Sequence, residues 1–119
     1  MLNRKYRFHS RGGVKYVYNH GKTIRSPKVS LVFAKNTRAF TRMAVVVSKK
    51  VDKTAVGRNR IRRRIYEALR INIEKIPKGY DYIFVVYSRD LARIKFSELE
   101  KILGELVAEA KTCYNRKDG

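Results

Sequence analysis

The chain has 119 residues, enough for one domain with its own core and too few for two. Its 29 lysines and arginines against 10 acids leave a formal charge of +19, an excess that repels itself in a compact fold and points to a polyanionic partner, nucleic acid before membrane surface. An apolar share of 44% excludes a disordered chain, and no apolar run approaches the roughly 20 residues of a membrane span.

In chain order, Gly12 and Gly13 precede a short segment in which Val14, Val17 and Tyr18 recur at helical spacing, with His20-Gly21 as its stop, glycine supplying a left-handed residue. A short strand around Thr23 to Arg25 is followed by clear alternation from Val29. There Val29, Leu31 and Phe33 share one face and Ser30, Val32 and Ala34 the other. Lys35 to Thr41 reads as a turn, and Met43 to Ser48 as a β-branched strand covered on both faces. The longest helical pattern runs from Thr54 to Lys75, with Ile61, Ile65, Ala68, Leu69, Asn72, Ile73 and Ile76 on one arc and Pro77 and Gly79 ending it. Tyr82 to Tyr87 is another interior-type strand. Ser97 and Glu100 form a capping-box pair ahead of a last helix whose apolar stripe is Leu99, Ile102, Leu103, Leu106, Val107 and Ala110. The expected fold is a single α/β (α+β) two-layer sandwich over residues 1–119, in the order α-β-(β)-β-α-β-α, with frayed residues from Asn115 to Gly119.

Charge is polarised along the chain. The first carboxylate is Asp52, and Glu98, Glu100, Glu105 and Glu109 gather in the last helix. A protein-borne nuclease site needs a carboxylate cluster for metals or a histidine pair for proton transfer. Asp52 stands alone in sequence, Asp81 and Asp90 flank a strand without an evident partner, and the two histidines, His9 and His20, suggest no acid–base pair. No catalytic or metal-ligating set is therefore assigned. The opening Met1 to Arg7 has no hydrophobic segment, so no secretory leader is expected, and the lone Cys113 suits a reducing, cytoplasmic setting as a bystander.

Binding chemistry is far better marked. From Lys49 to Arg64 eight basic residues face only Asp52, and five of them are arginines within seven positions. At helical contact distances these arginines repel one another until a partner neutralises them, and their planar forks suit phosphate. At about 100° per residue from Ile61, Arg60, Arg63 and Arg64 are expected opposite the apolar stripe, whereas Arg58 and Arg62 fall beside Ile65 and Leu69. One helix would then carry two basic surfaces, an outer face for a large partner and an inner edge lining a groove.

The stretch Val45-Val46-Val47-Ser48-Lys49-Lys50-Val51, followed by Ala55-Val56-Gly57-Arg58-Asn59-Arg60-Ile61-Arg62-Arg63, resembles the bacterial ribonuclease P protein subunit family. Arg7-Phe8, Tyr18-Asn19-His20-Gly21 and Gly79-Tyr80-Asp81-Tyr82 add to the likeness, which spans about residues 4 to 110. The resemblance implies a left-handed βαβ crossover and a role as the non-catalytic protein subunit of an endoribonuclease that removes the 5′ leader of precursor tRNA. In that reading catalysis and Mg²⁺ reside mainly in the RNA subunit. The partners are that catalytic RNA and the single-stranded leader, with no membrane. The implied RNA-docking residues are Arg58, Asn59, Arg60, Arg63 and Arg64 with Lys49 and Lys50. The implied leader cleft, between the first helix and the sheet, holds Tyr18, Phe33 and Arg62, with Val14 where relatives often place an aromatic residue. Tyr66 stands where a basic residue is common. The alternative is a basic structural RNA-binding protein of ribosomal type, which would need no aromatic-lined cleft.

Overall fold

Period-two alternation in the three apolar runs builds a four-stranded mixed sheet in a computed structural model that describes residues 17–36 and 41–117, side chains as far as Cys113. Strands β1 (Lys22–Ile24), β2 (Val29–Lys35), β3 (Arg42–Val47) and β4 (Tyr80–Val86) lie in the order β1-β2-β4-β3. β2 pairs antiparallel with β1 and β4, while β3 runs parallel to β4 and forms an edge. A parallel pair needs a crossover, and helix α2 (Ala55–Ile71) supplies it. The end of α1 occupies residues 17–20, and α3 (Phe96–Lys117) closes the fold.

Both faces of the sheet are used. Leu31, Phe33, Met43, Val45, Tyr82 and Phe84 point to the layer of α2 and α3 and form the main core with Ile61, Ile65, Leu69, Leu99 and Leu103. The alternate residues Val32, Ala34, Ala44 and Ile83 meet Val17 of α1 on the opposite face. The helices thus do not all lie on one side, and the α1 face is the thinner of the two.

Several local expectations change. Gly21 does end α1, its N–H donating to the Val17 carbonyl at 2.7 Å, but not through a left-handed backbone. A Cβ there would stand 2.5 Å from the Val17 oxygen and 2.6 Å from that of Phe33, so the position is glycine because helix and strand touch. Among the described residues only Gly79 has a positive φ, 86°. Thr54 caps α2, its Oγ1 accepting from Gly57 N at 3.0 Å. The α-helix stops at Ile71 rather than Lys75, because the Asn72 amide side chain donates to the Ala68 carbonyl and a 3-10 turn, Ile73–Lys75, follows.

Ser97 lies inside α3 and not before it, and the Lys95 carbonyl accepts from Leu99 N. Glu100 therefore closes no capping box. It accepts from Asn72 Nδ2 at 2.9 Å and ties α3 to the end of α2. The backbone of α3 remains helical to Lys117, past the point expected to fray. Gly12, Gly13, Val14 and the centre of the Lys35–Thr41 turn lie outside the described residues.

Candidate nucleic-acid interface

Just past β3 lies Ser48, whose carbonyl accepts from Val51 N and Asp52 N and turns the chain toward α2. Lys49 and Lys50 are exposed on this turn. Asp52 closes it, its Oδ1 accepting from Thr54 N at 2.9 Å and Thr54 Oγ1 at 2.8 Å. These hydrogen bonds, backbone first, hold the Asp52 carboxyl below the usual carboxylate range, with smaller help from Arg89 and Arg58. A Cβ on Gly57 would fall 1.9 Å from Asp52 Oδ2, which accounts for glycine in the first turn of a helix.

Of the six arginines of α2, the five between Arg58 and Arg64 take four arrangements. Asn59, Arg60 and Arg63 are exposed, the two arginines as the helical wheel places them. Arg58 folds back, Nη1 donating at 3.0 Å to the carbonyls of both Asp52 and Lys53, and so braces the turn. Arg62 is half-buried, one turn before Tyr66 on the flank along the β3 edge, and its Nη2 donates to Asn59 Oδ1. Arg64 departs from expectation. It is not on the outer face but on a flank, roughly 100° from the centre of the apolar stripe. There Nη1 donates to the Leu91 carbonyl at 2.6 Å and Nη2 to that of Ile94. Burial, then the neighbouring Arg60, lowers its pKa from the ordinary guanidinium value.

The second surface is the α1 face. Tyr18 is 44% exposed and Tyr87, which follows β4, 51%. Burial, then the Tyr87 phenol, pushes the Tyr18 hydroxyl above the ordinary tyrosine pKa. Val46 and Val85, paired across β3 and β4, are half-buried on the same face. Ser30, opposite Val85 on β2, is fully buried with no hydrogen-bond partner for its Oγ.

Phe33 does not belong here. It is 3% exposed and packs in the α2–α3 core, because alternation carries it with Val29 and Leu31 to the other side of the sheet. Val14 lies outside the described residues. Tyr87 is the residue that sequence reading missed. It continues the Ile83, Val85 alternation, but the run Tyr82–Tyr87 looked interior throughout.

The acids also find partners that the sequence left hidden. Asp81, on β4, accepts from Arg42 of β3 through both oxygens (Nε–Oδ1 2.9 Å, Nη2–Oδ2 2.7 Å) and from Asn36 at 2.7 Å. Asp90 lies 3.7 Å from Lys28 Nζ. Among the described residues no three His, Cys, Asp or Glu side chains group as a metal site, and no helix is long and apolar enough to cross a membrane.

A family model described as ribonuclease P matches residues 2–111. The ribonuclease P protein component of Clostridioides difficile is 43% identical over 94 residues, covering 76% of this chain and 79% of that relative. That of Roseiflexus castenholzii is 34% identical over 109 residues, covering 92% and 88%. Among solved structures, the RNase P protein from Thermotoga maritima superposes with a TM-score of 0.78 at 27% identity, over 85% of this chain and 94% of that one. The Staphylococcus aureus RNase P protein has the same fold, with a TM-score of 0.78 at 22% identity over 89% and 95%.

Proposed function

Because the chain belongs to the ribonuclease P protein family, and so to the tRNA-processing endoribonuclease built with such subunits, we propose a two-surface division of labour for it. The outer face of α2 (Asn59, Arg60, Arg63) and the turn bearing Lys49 and Lys50 dock on the RNase P RNA. The α1 face of the sheet takes the single-stranded 5′ leader of precursor tRNA. The observation that carries this reading is the separation of the two surfaces: exposed arginines on α2 across the main core from an aromatic-bordered patch on the opposite sheet face.

Each surface has the chemistry for its ligand. Arginine forks bind phosphate bidentately and release counterions, which favours a folded RNA of high charge density. Tyrosine rings stack on unpaired bases and discriminate little between them, which suits leaders of varied sequence. The half-buried Val46 and Val85 give an apolar floor between backbone contacts. A ribosomal-type structural role accounts for the arginines but not for Tyr18 and Tyr87.

Cleavage is assigned to the RNA subunit and its Mg²⁺. This chain's own contribution is to place the leader and to neutralise backbone charge around it. The test is cleavage of precursor tRNA with RNA-free protein, with RNase P RNA, and with both. The expected result is cleavage only when the RNA is present, at a lower Mg²⁺ requirement with protein added. Cleavage by protein carefully freed of RNA would falsify the assignment.

A further inference from the structure

Arg64 leaves the outer face of α2 to hold a second arginine-bearing segment in place. Its guanidinium donates to the carbonyls of Leu91 and Ile94, at the end of the 3-10 turn Arg89–Ala92 and just beyond it. Leu91, fully buried, anchors the turn in the main core, and Lys28 pairs with Asp90 on its other side. The turn is thus fixed against α2 from several directions. Between them lies a cavity of about 120 Å³ lined by Asp52, Gly57, Arg60, Arg89, Ala92 and Arg93.

Three arginines line it against one carboxylate. Asp52 already spends Oδ1 on Thr54, and its Oδ2 lies 3.9 Å from Arg89 Nε. The cluster keeps an excess of two positive charges, which repel one another without an anion between them. Its volume is several times the roughly 30 Å³ of a liquid water, enough for one phosphate group. Arg60 belongs at once to this cavity and to the exposed face of α2, so the two positive surfaces are continuous.

We propose that Arg60, Arg89 and Arg93 form a seat for one backbone phosphate of the RNase P RNA, extending the docking surface from α2 onto the Arg89–Ala92 turn. Arg64 is its positioning residue and does not touch the RNA. The proposal rests on the docking role of α2 argued above. Asp52 orients Arg89 toward the seat, and Gly57 makes room for Asp52.

The test compares three proteins with the parent chain for binding to RNase P RNA across a salt series: R89Q/R93Q, R60Q, and the control K101Q/K111Q, which removes the same charge from α3. R89Q/R93Q is expected to weaken binding about tenfold or more and to reduce the log–log salt slope by about 0.7–0.9, the value of one phosphate. The control is expected to stay within about twofold. If R89Q/R93Q matches the control while R60Q still weakens binding, the phosphate seat is overturned and the α2 reading stands. If R60Q also matches the control, the α2 reading itself fails. Arg64 is tested by a cycle in which R64Q is added to the parent and to R89Q/R93Q. A positioning role makes its loss in RNA binding vanish in the second background, whereas an equal loss in both means that Arg64 contacts RNA itself.

Discussion

The Tyr66 hydroxyl stands 3.2 Å from the Val45 amide nitrogen and accepts its hydrogen bond at the open edge of β3. An edge strand offers unpaired amides to any passing strand, and here α2 covers one of them with a side chain of its own. Tyr66 is 8% exposed, and its role in this chain is structural. Tyr66→Phe keeps the ring and strands the buried Val45 amide. The expected loss is about 1–3 kcal/mol in denaturant unfolding, with RNA binding by the folded fraction unchanged. An unaltered midpoint would show that water serves that amide equally well.

Tyr18 and Tyr87 provide a spectroscopic handle on the proposed leader surface. Burial is the larger cause of the raised Tyr18 pKa and the Tyr87 phenol the next, so Tyr87→Phe should bring the Tyr18 transition back toward 10 without reaching it. The fold favours the neutral phenol, so its contribution to stability is complete below pH 10 and is lost as pH rises through the raised value. Ultraviolet titration of the two single-tyrosine replacements checks this. An unmoved Tyr18 transition would mean that the two hydroxyls do not share a patch.

Arg42 and Asp81 clamp the edge strand to the centre of the sheet through two hydrogen bonds, with Asn36 holding the same carboxylate. The Asp81 side chain is 6% exposed, so removing it leaves a poorly solvated guanidinium without its counter-charge. Asp81→Ala is expected to cost about 3–5 kcal/mol in thermal or chemical unfolding. Asp81→Ala combined with Arg42→Met should recover much of that loss, since an apolar pair carries no stranded charge. A double variant as unstable as the single one would contradict the ion-pair account.

β2 was legible from its alternation, and Val29, Leu31 and Phe33 do share a face as their spacing says, while β3 and β4 were legible as continuous apolar runs. The spacing does not say which face receives α2 and α3, and for that reason Phe33 was expected in a cleft when it belongs to the core. Arg64 shows the same limit for helices. Its angle on the wheel is computable, but the carbonyls that capture it lie 27 and 30 residues downstream and leave no local signal. The partners of Asp81 were equally hidden, because Arg42 and Asn36 reach it only through the β3–β4 and β2–β4 registers. The exposed arginines of that helix, Arg60 and Arg63, needed only periodicity, whereas Asn59 came from the resemblance.

In the proposed division of labour, RNA assembly and leader recognition use separate surfaces. The direct measurement pairs two assays on Arg60→Ala and Tyr18→Ala: affinity for RNase P RNA, and the preference of the assembled enzyme for precursor over mature tRNA. Arg60→Ala should weaken assembly by about 1.5–3 kcal/mol and, at saturating protein, leave the preference intact. Tyr18→Ala should leave assembly nearly unchanged and reduce the preference by about 1–3 kcal/mol, the worth of one stacked base, with thermal melts confirming that the core is intact. The same profile for both variants would contradict the two-surface account.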